Sequence, residues 1–475
     1  MTPATSSGMN NVVPFPVQKP QFLRGDEVEI ADTARRKLGA LELTHDLGRF
    51  WQYDPRQGIW AELAPEVIHR VIADFSGAPV VVGGRATELK ISSRTISGAT
   101  AILRDTILAD SGHRRFAVAM PGLTFENGFV HVVDGRIVLE KHSADQLARH
   151  AYPFPYEPFR ENRCLDLRRA PPGARLLGFI HALFADVDYD ERQERVRLFQ
   201  EFVGTSLIGQ ATRHQQALVM FGEGGNGKSE ALELARSAFP GGSVVSLPPQ
   251  LWSQRFQIAH LVGALGNFVD EVPERDITGG ETFKSVITGD FVHAEEKNQQ
   301  PFDYRPVAGH IFSANTLPGT VDQSDGYWRR FIVLPFTRNM TEAAGHRQRA
   351  ASTVIDSELP AVVSWFLEGA ARVQRQGRYT IPESSATMTE AWRRNADSVL
   401  RFAAEECEPD ATVMMKAPRL FEAYCGWAAI QRFAPMSSTT FYKRFAKTGI
   451  ARGHAKDGNF YGCRIPREPT LRVVK

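Results

Sequence analysis

The stretch LVMFGEGGNGKSEAL, residues 218–232, joins an apolar run to a glycine-rich turn that ends in Lys228 and Ser229. From Gly222 onward it fits the pattern G-x-x-x-x-G-K-[ST] in full. Small residues in such a turn let successive backbone N–H groups converge on phosphate oxygens, and the positive end of the following helix strengthens the attraction. The pattern therefore predicts a buried strand, a phosphate-binding loop and a helix, with a nucleoside triphosphate as the ligand.

The side chains of this loop have different expected roles. Lys228 is predicted to reach the β and γ phosphates, and Ser229 to ligate Mg²⁺. A glycine-rich turn without a ligand is the alternative, but the apolar strand before the loop and the helical apolar spacing after it favour the phosphate site. The complete predicted cradle consists of Gly222, Glu223, Gly224, Gly225, Asn226, Gly227, Lys228, Ser229 and Glu230.

Two further apolar segments end in polar side chains. ALGNFVDEV delivers Asp270 and Glu271 to the end of a predicted strand. Asp270 is expected to hold Mg²⁺ through water, and Glu271 to polarise the water that attacks the γ-phosphate. AGHIFSAN ends in Asn315, whose amide can orient that water or sense the γ-phosphate. A solvated turn is the alternative for each segment, and the preceding phosphate loop favours the catalytic interpretation.

A pair of arginines precedes another apolar segment in DGYWRRFIVLPF. Arg329 and Arg330 stand immediately before a predicted strand. Arginine at such a place can stabilise transition-state charge when a neighbouring subunit supplies it. A salt-bridged surface pair is the alternative.

Bulk composition excludes several classes of protein. The 475 residues predict two to four domains, and 43% apolar content is enough for globular cores. The net charge of +2 indicates no partner by itself. The four cysteines form no C-x-x-C pair, which argues against a thiolate zinc site and a disulfide framework. No apolar run approaches the roughly 20 residues that span a bilayer, so we expect a cytoplasmic protein without a membrane partner.

Taken in order, these segments resemble the superfamily 3 helicases, in the branch of phage and plasmid primase-helicases and poxvirus-type replication NTPases. The matching series is GEGGNGKS, NFVDE, FKSVITGD, AEEKNQQPFDYRP, FSANTLP and DGYWRRFIVLPF, within residues 222–336. The resemblance implies that ATP is the nucleotide and Mg²⁺ the cofactor. It further implies catalytic roles for Lys228, Asp270, Glu271, Asn315, Arg330 and Lys284.

The same resemblance places some of these residues at a neighbouring subunit. Arg330 matches the family's arginine finger better than Arg329 does, and Lys284 matches a second basic residue that reaches the neighbour's nucleotide. Lys297 and Asn298 match the tip of a hairpin that grips DNA in the ring. Glu295 and Glu296 beside Lys297 depart from the family's more basic tip, so a solvated turn stays an alternative there.

The resemblance also implies an α/β fold: a P-loop AAA+-like ATPase core with a parallel sheet at residues 211–340. Fewer than 220 residues precede this core, so we expect a helicase portion without a primase domain. The other predicted segments are a flexible tail (1–40), a small α+β module (41–150), a linker and helical collar (151–210), a helical connector (341–394) and a winged-helix DNA-binding domain (395–475).

Turn residues in the small module predict two hairpins and a helix. One hairpin turns at residues 54–58, and a helix begins near Pro65. In FENGFVHVVDGRIVLEKHS the two strands meet at Asp134 and Gly135, which is a pair that favours a tight hairpin turn.

Positive charge is concentrated at the end of the chain. From Lys416 to Lys475 there are twelve Lys or Arg against three acidic residues. STTFYKRFAKTGI begins with N-capping residues and predicts a helix that exposes Lys443, Arg444 and Lys447, as a recognition helix on duplex DNA would. A basic solvated face is the alternative.

These expectations combine into an ATP-dependent DNA helicase for replication of a phage, plasmid or integrated mobile element. We expect a homo-oligomeric ring, a hexamer, with ATP sites between subunits. Its partners would be single- and double-stranded DNA, with a separate primase or replication protein as a candidate, in a prokaryotic cell or phage-infected host. The alternative is an ATP-assembled replication initiator that binds origin DNA without processive unwinding. A small-molecule kinase is disfavoured, because it would not need Asn315, the hairpin and Arg330 in this order.

Overall fold

A computed structural model describes residues 19–40, 42–82, 85–110, 113–159, 174–273, 280–297, 301–318, 320, 322, 324–340, 350–431, 433, 436–456 and 458–466. The chain divides into two compact units. The first comprises the described residues of Met1–Asp54 and Trp60–Phe116, and the second those of Pro55–Ile59 and Ala117–Lys475. The division falls at Phe116, inside the predicted 41–150 module. Within the described residues, no helix has both the length and the apolar content needed to cross a bilayer.

The first unit packs three helices with two small sheets, β1-β2-β3 and β4-β5. The predicted turn at residues 54–58 joins β2 to β3, and α2 begins at Pro65 as predicted. The elements are α1 (Glu27–Leu38), β1 (Leu43–Asp46), β2 (Arg49–Asp54), β3 (Ile59–Leu63), α2 (Pro65–Ala73), β4 (Pro79–Val82), β5 (Arg85–Glu88) and α3 (Ser93–Ala109).

Helix α1 corrects the predicted flexible tail over residues 1–40. The Asp26 side chain accepts a hydrogen bond from the backbone of Glu29 and caps the helix. Ile30, Ala34 and Leu38, spaced four residues apart, lie on one face and are buried in the core of this unit. The tail prediction is therefore wrong for Glu27–Leu38.

The second unit begins with the predicted tight hairpin. Asp134 and Gly135 both have positive φ, at 49° and 70°, which matches the twist of a two-residue hairpin turn. The strands and the helices that follow are β6 (Leu123–Phe125), β7 (Gly128–Val133), β8 (Arg136–Glu140), α4 (Ala174–Leu183) and α5 (Tyr189–Leu207).

A parallel sheet with strand order β10-β11-β14-β9-β15 forms the centre of the second unit. Its longer strands are mostly apolar and are buried along almost their whole length, as expected of strands covered on both faces. The central elements are β9 (Ala217–Phe221), α6 (Lys228–Ser237), β10 (Val244–Val245), α7 (Arg255–Ile258), β11 (Gly266–Val269), α8 (Gly280–Thr288), β12 (Val292–Ala294), β13 (Phe302–Tyr304), β14 (Gly309–Ala314), α9 (Asp325–Trp328) and β15 (Phe331–Pro335).

Helices α5 and α10 (Ala350–Gln376) contact each other closely and share one hydrophobic core with the sheet. A Cβ on Gly204 would lie 2.0 Å from the Phe366 carbonyl oxygen, and one on Gly369 would lie 2.4 Å from the Gln200 carbonyl oxygen. Both glycines are therefore needed for the two backbones to approach. Part of the predicted collar and part of the predicted connector thus pack against each other.

The last part of the second unit has its own hydrophobic core. Three of its helices and the sheet β17-β19-β18 surround buried aromatic side chains that include Phe402, Tyr424 and Phe441. The elements are α11 (Glu383–Ala396), α12 (Ser398–Glu406), β16 (Glu408–Pro409), β17 (Met415–Lys416), α13 (Ala417–Ile430), α14 (Ser438–Phe445), β18 (Arg452–Ala455), β19 (Gly458–Tyr461) and β20 (Cys463–Arg464).

Candidate functional site

The loop between β9 and α6 needs glycine for steric reasons. A Cβ on Gly222 would lie 2.2 Å from both the Asn226 side-chain nitrogen and the Phe336 carbonyl oxygen. Gly225 and Gly227 have φ of 76° and 88°, which L side chains rarely adopt. The buried Asn226 amide donates to the Phe336 carbonyl at 2.7 Å and ties the loop to the end of β15.

Lys228 lies folded into this loop and is only 5% exposed. Its Nζ donates to the carbonyls of Gly222 at 2.6 Å and Glu223 at 2.7 Å, and to Asn226 Oδ1 at 3.1 Å. Burial lowers the pKa of Lys228, and the charge of Glu271 opposes that shift. The ammonium group is therefore held at the loop by neutral carbonyls and faces one acidic neighbour.

The strand order brings the predicted polar residues together. β11, β14 and β9 are adjacent and parallel, so their carboxyl ends meet at one edge, the carboxyl edge of the sheet. Asp270 and Glu271 follow β11, and Asn315 follows β14. The Asn315 amide donates to Glu271 Oε1 at 3.5 Å. The side chain that is predicted to orient water thus contacts the predicted base.

A pocket of about 310 Å³ joins these groups. All the predicted cradle residues line it except Gly222 and Glu223. The carbonyls of these two residues accept hydrogen bonds from Lys228. Glu230 lines the pocket, and its carboxylate accepts a hydrogen bond from the backbone N–H of Ala351 at 2.7 Å. The lining residues are Gly224, Gly225, Asn226, Gly227, Lys228, Ser229, Glu230, Asp270, Glu271, Ser313, Asn315 and Met340.

Ser313, Met340 and Arg236 are site residues that the sequence reasoning missed. Ser313 lies in β14, two residues before Asn315, and that spacing was the available signal. Met340 lies at the site because its backbone N–H donates to the Gly225 carbonyl at 2.8 Å. No local sequence pattern predicts this contact. Arg236 Nη2 lies 2.7 Å from Asp270 Oδ1, and its guanidinium lies 5.7 Å from the centre of the Phe268 ring.

The residues present fit a bound magnesium nucleotide. Ser229 and Asp270 line the same pocket and offer a hydroxyl and a carboxylate, which are the oxygen ligands that Mg²⁺ prefers. Among the described residues, none beyond the chain neighbours of Gly224 has an atom within 4 Å of where its Cβ would stand, so this side of the loop has room for a ligand.

Arg330 and Lys284 lie away from this pocket. Arg330 precedes β15, and its carbonyl accepts from the N–H of Ala217, the first residue of β9. It therefore lies at the amino edge of the sheet, opposite the glycine-rich loop. β9 is 5 residues long, which separates the two edges by about 16 Å. Neither Arg330 nor Lys284 lines the pocket of its own chain.

Asp322 links these two basic residues. Lys284 Nζ lies 2.6 Å from Asp322 Oδ2. Burial alone would raise the pKa of Asp322, but hydrogen bonds from Lys284 and Ser324 outweigh it and lower that pKa. Burial and then Arg329 lower the pKa of Arg330, while Asp290 and Asp322 oppose that shift. Arg330 is buried and donates to the Gly326 carbonyl, whereas Arg329 is exposed.

The predicted DNA-contacting residues occupy two other places. Lys297 is exposed at the end of the β12–β13 hairpin, and Asn298 lies outside the described residues. On α14 and the turn after it, Lys443 and Lys447 are exposed and Arg444 is half-buried, while Phe441 and Phe445 face the core.

Comparison with known proteins gives a match over part of the chain. A family described as "Family of unknown function (DUF5906)" matches residues 220–330, from within β9 to Arg330. No curated protein matches. Among solved structures, the A form apo structure of the NrS-1 C-terminal region is 12% identical, with 93% of this chain and 99% of that chain covered and a TM-score of 0.46. An apo structure of the same region is 11% identical, with 93% and 99% covered and a TM-score of 0.44.

Proposed function

We propose that the chain is an ATP-driven DNA helicase of the superfamily 3 type, acting in replication of a phage, plasmid or integrated mobile element. Its AAA+-like core would hydrolyse ATP, and its winged-helix end would hold duplex DNA. The observation that supports this most is the convergence of Lys228, Asp270, Glu271 and Asn315 on one pocket beside a phosphate loop. The protein would act in the cytoplasm of a prokaryotic cell or phage-infected host.

Hydrolysis in this proposal depends on positioned groups. Lys228 and the loop N–H groups hold the β and γ phosphates. Glu271 accepts a proton from a water molecule as that water attacks the γ-phosphorus and the bond to ADP breaks. Asn315 fixes the Glu271 carboxylate toward that water. Mg²⁺, held by Ser229 and Asp270, would neutralise charge on the phosphate oxygens.

The position of the basic pair supports assembly as a ring. Arg330 lies at the sheet edge opposite its own pocket, Lys284 pairs with Asp322, and neither residue lines that pocket. In a head-to-tail ring, expected to be a hexamer, the amino edge of one subunit would face the carboxyl edge of the next. ATP would then be cleaved where two subunits meet.

Strand displacement tests the proposed function directly. The purified full chain with ATP and Mg²⁺ is expected to separate a forked DNA duplex and to hydrolyse ATP faster when single-stranded DNA is added. Lys228→Ala is expected to abolish both activities, because it removes the cation that holds the phosphates. A protein that binds duplex but never displaces a strand would be the replication initiator instead. Turnover indifferent to DNA would contradict both.

Arg236 gives a prediction about metal binding. Its ion pair with Asp270 Oδ1 fixes the orientation of that carboxylate, and outer partners of metal ligands typically change metal affinity 10- to 100-fold when removed. Arg236→Gln is therefore expected to raise, by about that factor, the Mg²⁺ concentration that half-saturates binding of a fluorescent ATP analogue. Nucleotide binding in EDTA should stay unchanged. Arg197→Gln, on the exposed face of α5, is the matched control.

A further inference from the structure

The outer face of the β12–β13 hairpin carries an exposed aromatic ring with an arginine over it. Val292, Ala294 and Tyr304 are buried, while the cross-strand partners His293 and Asp303 face outward. Side chains alternate along strands, so Phe291 and Arg305, the residues that flank the paired strands, belong to the outer face. Phe291 is 59% exposed, and the Arg305 guanidinium lies 4.4 Å from its ring centre.

Helix α7 holds the hairpin by its other side. The backbone N–H of Glu295 donates to the Arg255 carbonyl at 3.2 Å. The Tyr304 hydroxyl donates to the Ile258 carbonyl at 2.9 Å. These contacts fix the buried face against the protein, so the outer face is presented by a supported element.

Two cations of this hairpin lie outside its ion pairs. Glu295 lies 3.0 Å from Arg255, and Asp303 lies 2.9 Å from His293. Glu295 therefore has an ion-pair partner, and Asp303 has a hydrogen-bond partner. Lys297 and Arg305 form no ion pair with any residue in the described part of the chain. A polyanion approaching this face would meet two cations that are not ion-paired with any described carboxylate.

We infer that Phe291 and Arg305 form a stacking platform for single-stranded DNA. A base stacks on the Phe291 ring, and Arg305 contacts the adjacent phosphate. Lys297 contacts the DNA strand further along, at most about 20 Å from Phe291. Bases offer an apolar face to any aromatic ring, so contact of this kind tolerates any sequence. The inference rests on the proposed function and extends it from the hairpin tip to the hairpin base.

Replacement of Phe291 by leucine tests the stacking. With the full chain, a non-hydrolysable ATP analogue and a fluorescein-labelled oligo-dT, fluorescence anisotropy is expected to show about fivefold to 150-fold weaker binding for Phe291→Leu. Phe291→Trp should restore binding, because it keeps an aromatic face. Tyr189→Leu, a change at another exposed aromatic residue (70% exposed), is the control and should bind as the unchanged protein does.

An oligonucleotide without bases separates stacking from other effects. The unchanged protein should bind an abasic strand more weakly than oligo-dT by the same factor. Phe291→Leu should not weaken binding to the abasic strand any further. Arg305→Gln should reduce the slope of log affinity against log salt by about 0.7, the value for one phosphate contact on a single strand, and Phe291→Leu should leave that slope unchanged.

Three results would overturn the inference: binding by Phe291→Leu within twofold of the unchanged protein, an equal loss on abasic DNA, or an unchanged salt slope for Arg305→Gln. In each case the unchanged protein still binds DNA and hydrolyses ATP, so the proposed function would stand. If the unchanged protein shows neither activity, the proposed function itself fails.

Discussion

Arg330→Ala is expected to lower ATP turnover by about 10³ to 10⁵, which is the contribution of an arginine that a neighbouring subunit supplies to phosphoryl transfer. Arg330 lies at the amino edge of the sheet, with the length of β9 between it and its own phosphate loop. Binding of a fluorescent ATP analogue should therefore be retained, since the cradle of each mutant chain is intact. Steady-state turnover and equilibrium binding, measured on the same preparation, check both parts.

Mixed rings provide the decisive control for this prediction. Combining Arg330→Ala with Lys228→Ala creates some interfaces where an intact cradle from the first variant meets an intact Arg330 from the second. Turnover should return at intermediate ratios although neither variant is active alone. Arg329→Ala, at the exposed neighbour, should retain activity. No recovery at any mixing ratio would mean that ATP is cleaved within a single chain.

The glycine-rich loop between β9 and α6 could be predicted because most of its determinants are close together in the sequence. β9 is an apolar run in the sequence, Gly225 and Gly227 have positive φ, and a Cβ on Gly222 would clash with Asn226 within the loop. The hairpin turn at Asp134 and Gly135 is local in the same sense, because positive φ at both positions is set by residue type.

The grouping of acidic and amide side chains depends on strand order, which local patterns do not encode. Asp270 and Asn315 each follow an apolar segment, but they meet only because β11, β14 and β9 are neighbours. The family resemblance supplied that relation. Arg236 was missed because a single arginine in the last turn of a helix looks like any solvated cation, and only its distance to Asp270 gives it a role.

Helix α1 was missed for a different reason. Two of the residues that it buries are Ala31 and Ala34, so its apolar stripe is weak beside the charges of EVEIADTARRKL. Packing against the core of the first unit gives this helix its stability, and such tertiary contacts commonly decide whether a weakly amphipathic segment folds.

Glu271→Gln is expected to reduce ATP turnover by about 10² to 10⁴, because an amide cannot take the proton of the attacking water. The amide has nearly the same shape as the carboxylate and can still accept from Asn315, so the pocket should keep its geometry. Nucleotide binding near neutral pH should therefore persist. Single-turnover hydrolysis and analogue binding separate these effects, with Glu233→Gln on the exposed side of α6 as the matched control.

The pH dependence of binding gives the same variant a second readout. Burial lowers the pKa of Lys228, and the negative charge of Glu271 opposes this shift. Removing that charge lets the pKa of Lys228 fall further, so its ammonium group is lost at a lower pH than in the unchanged protein. Analogue binding by Glu271→Gln should therefore weaken at a lower alkaline pH. The prediction is wrong if Glu271→Gln turns over ATP within about threefold of the unchanged protein and its binding profile against pH is not shifted. The general base would then be another residue, and Glu271 would not have the role that its contact with Asn315 indicates.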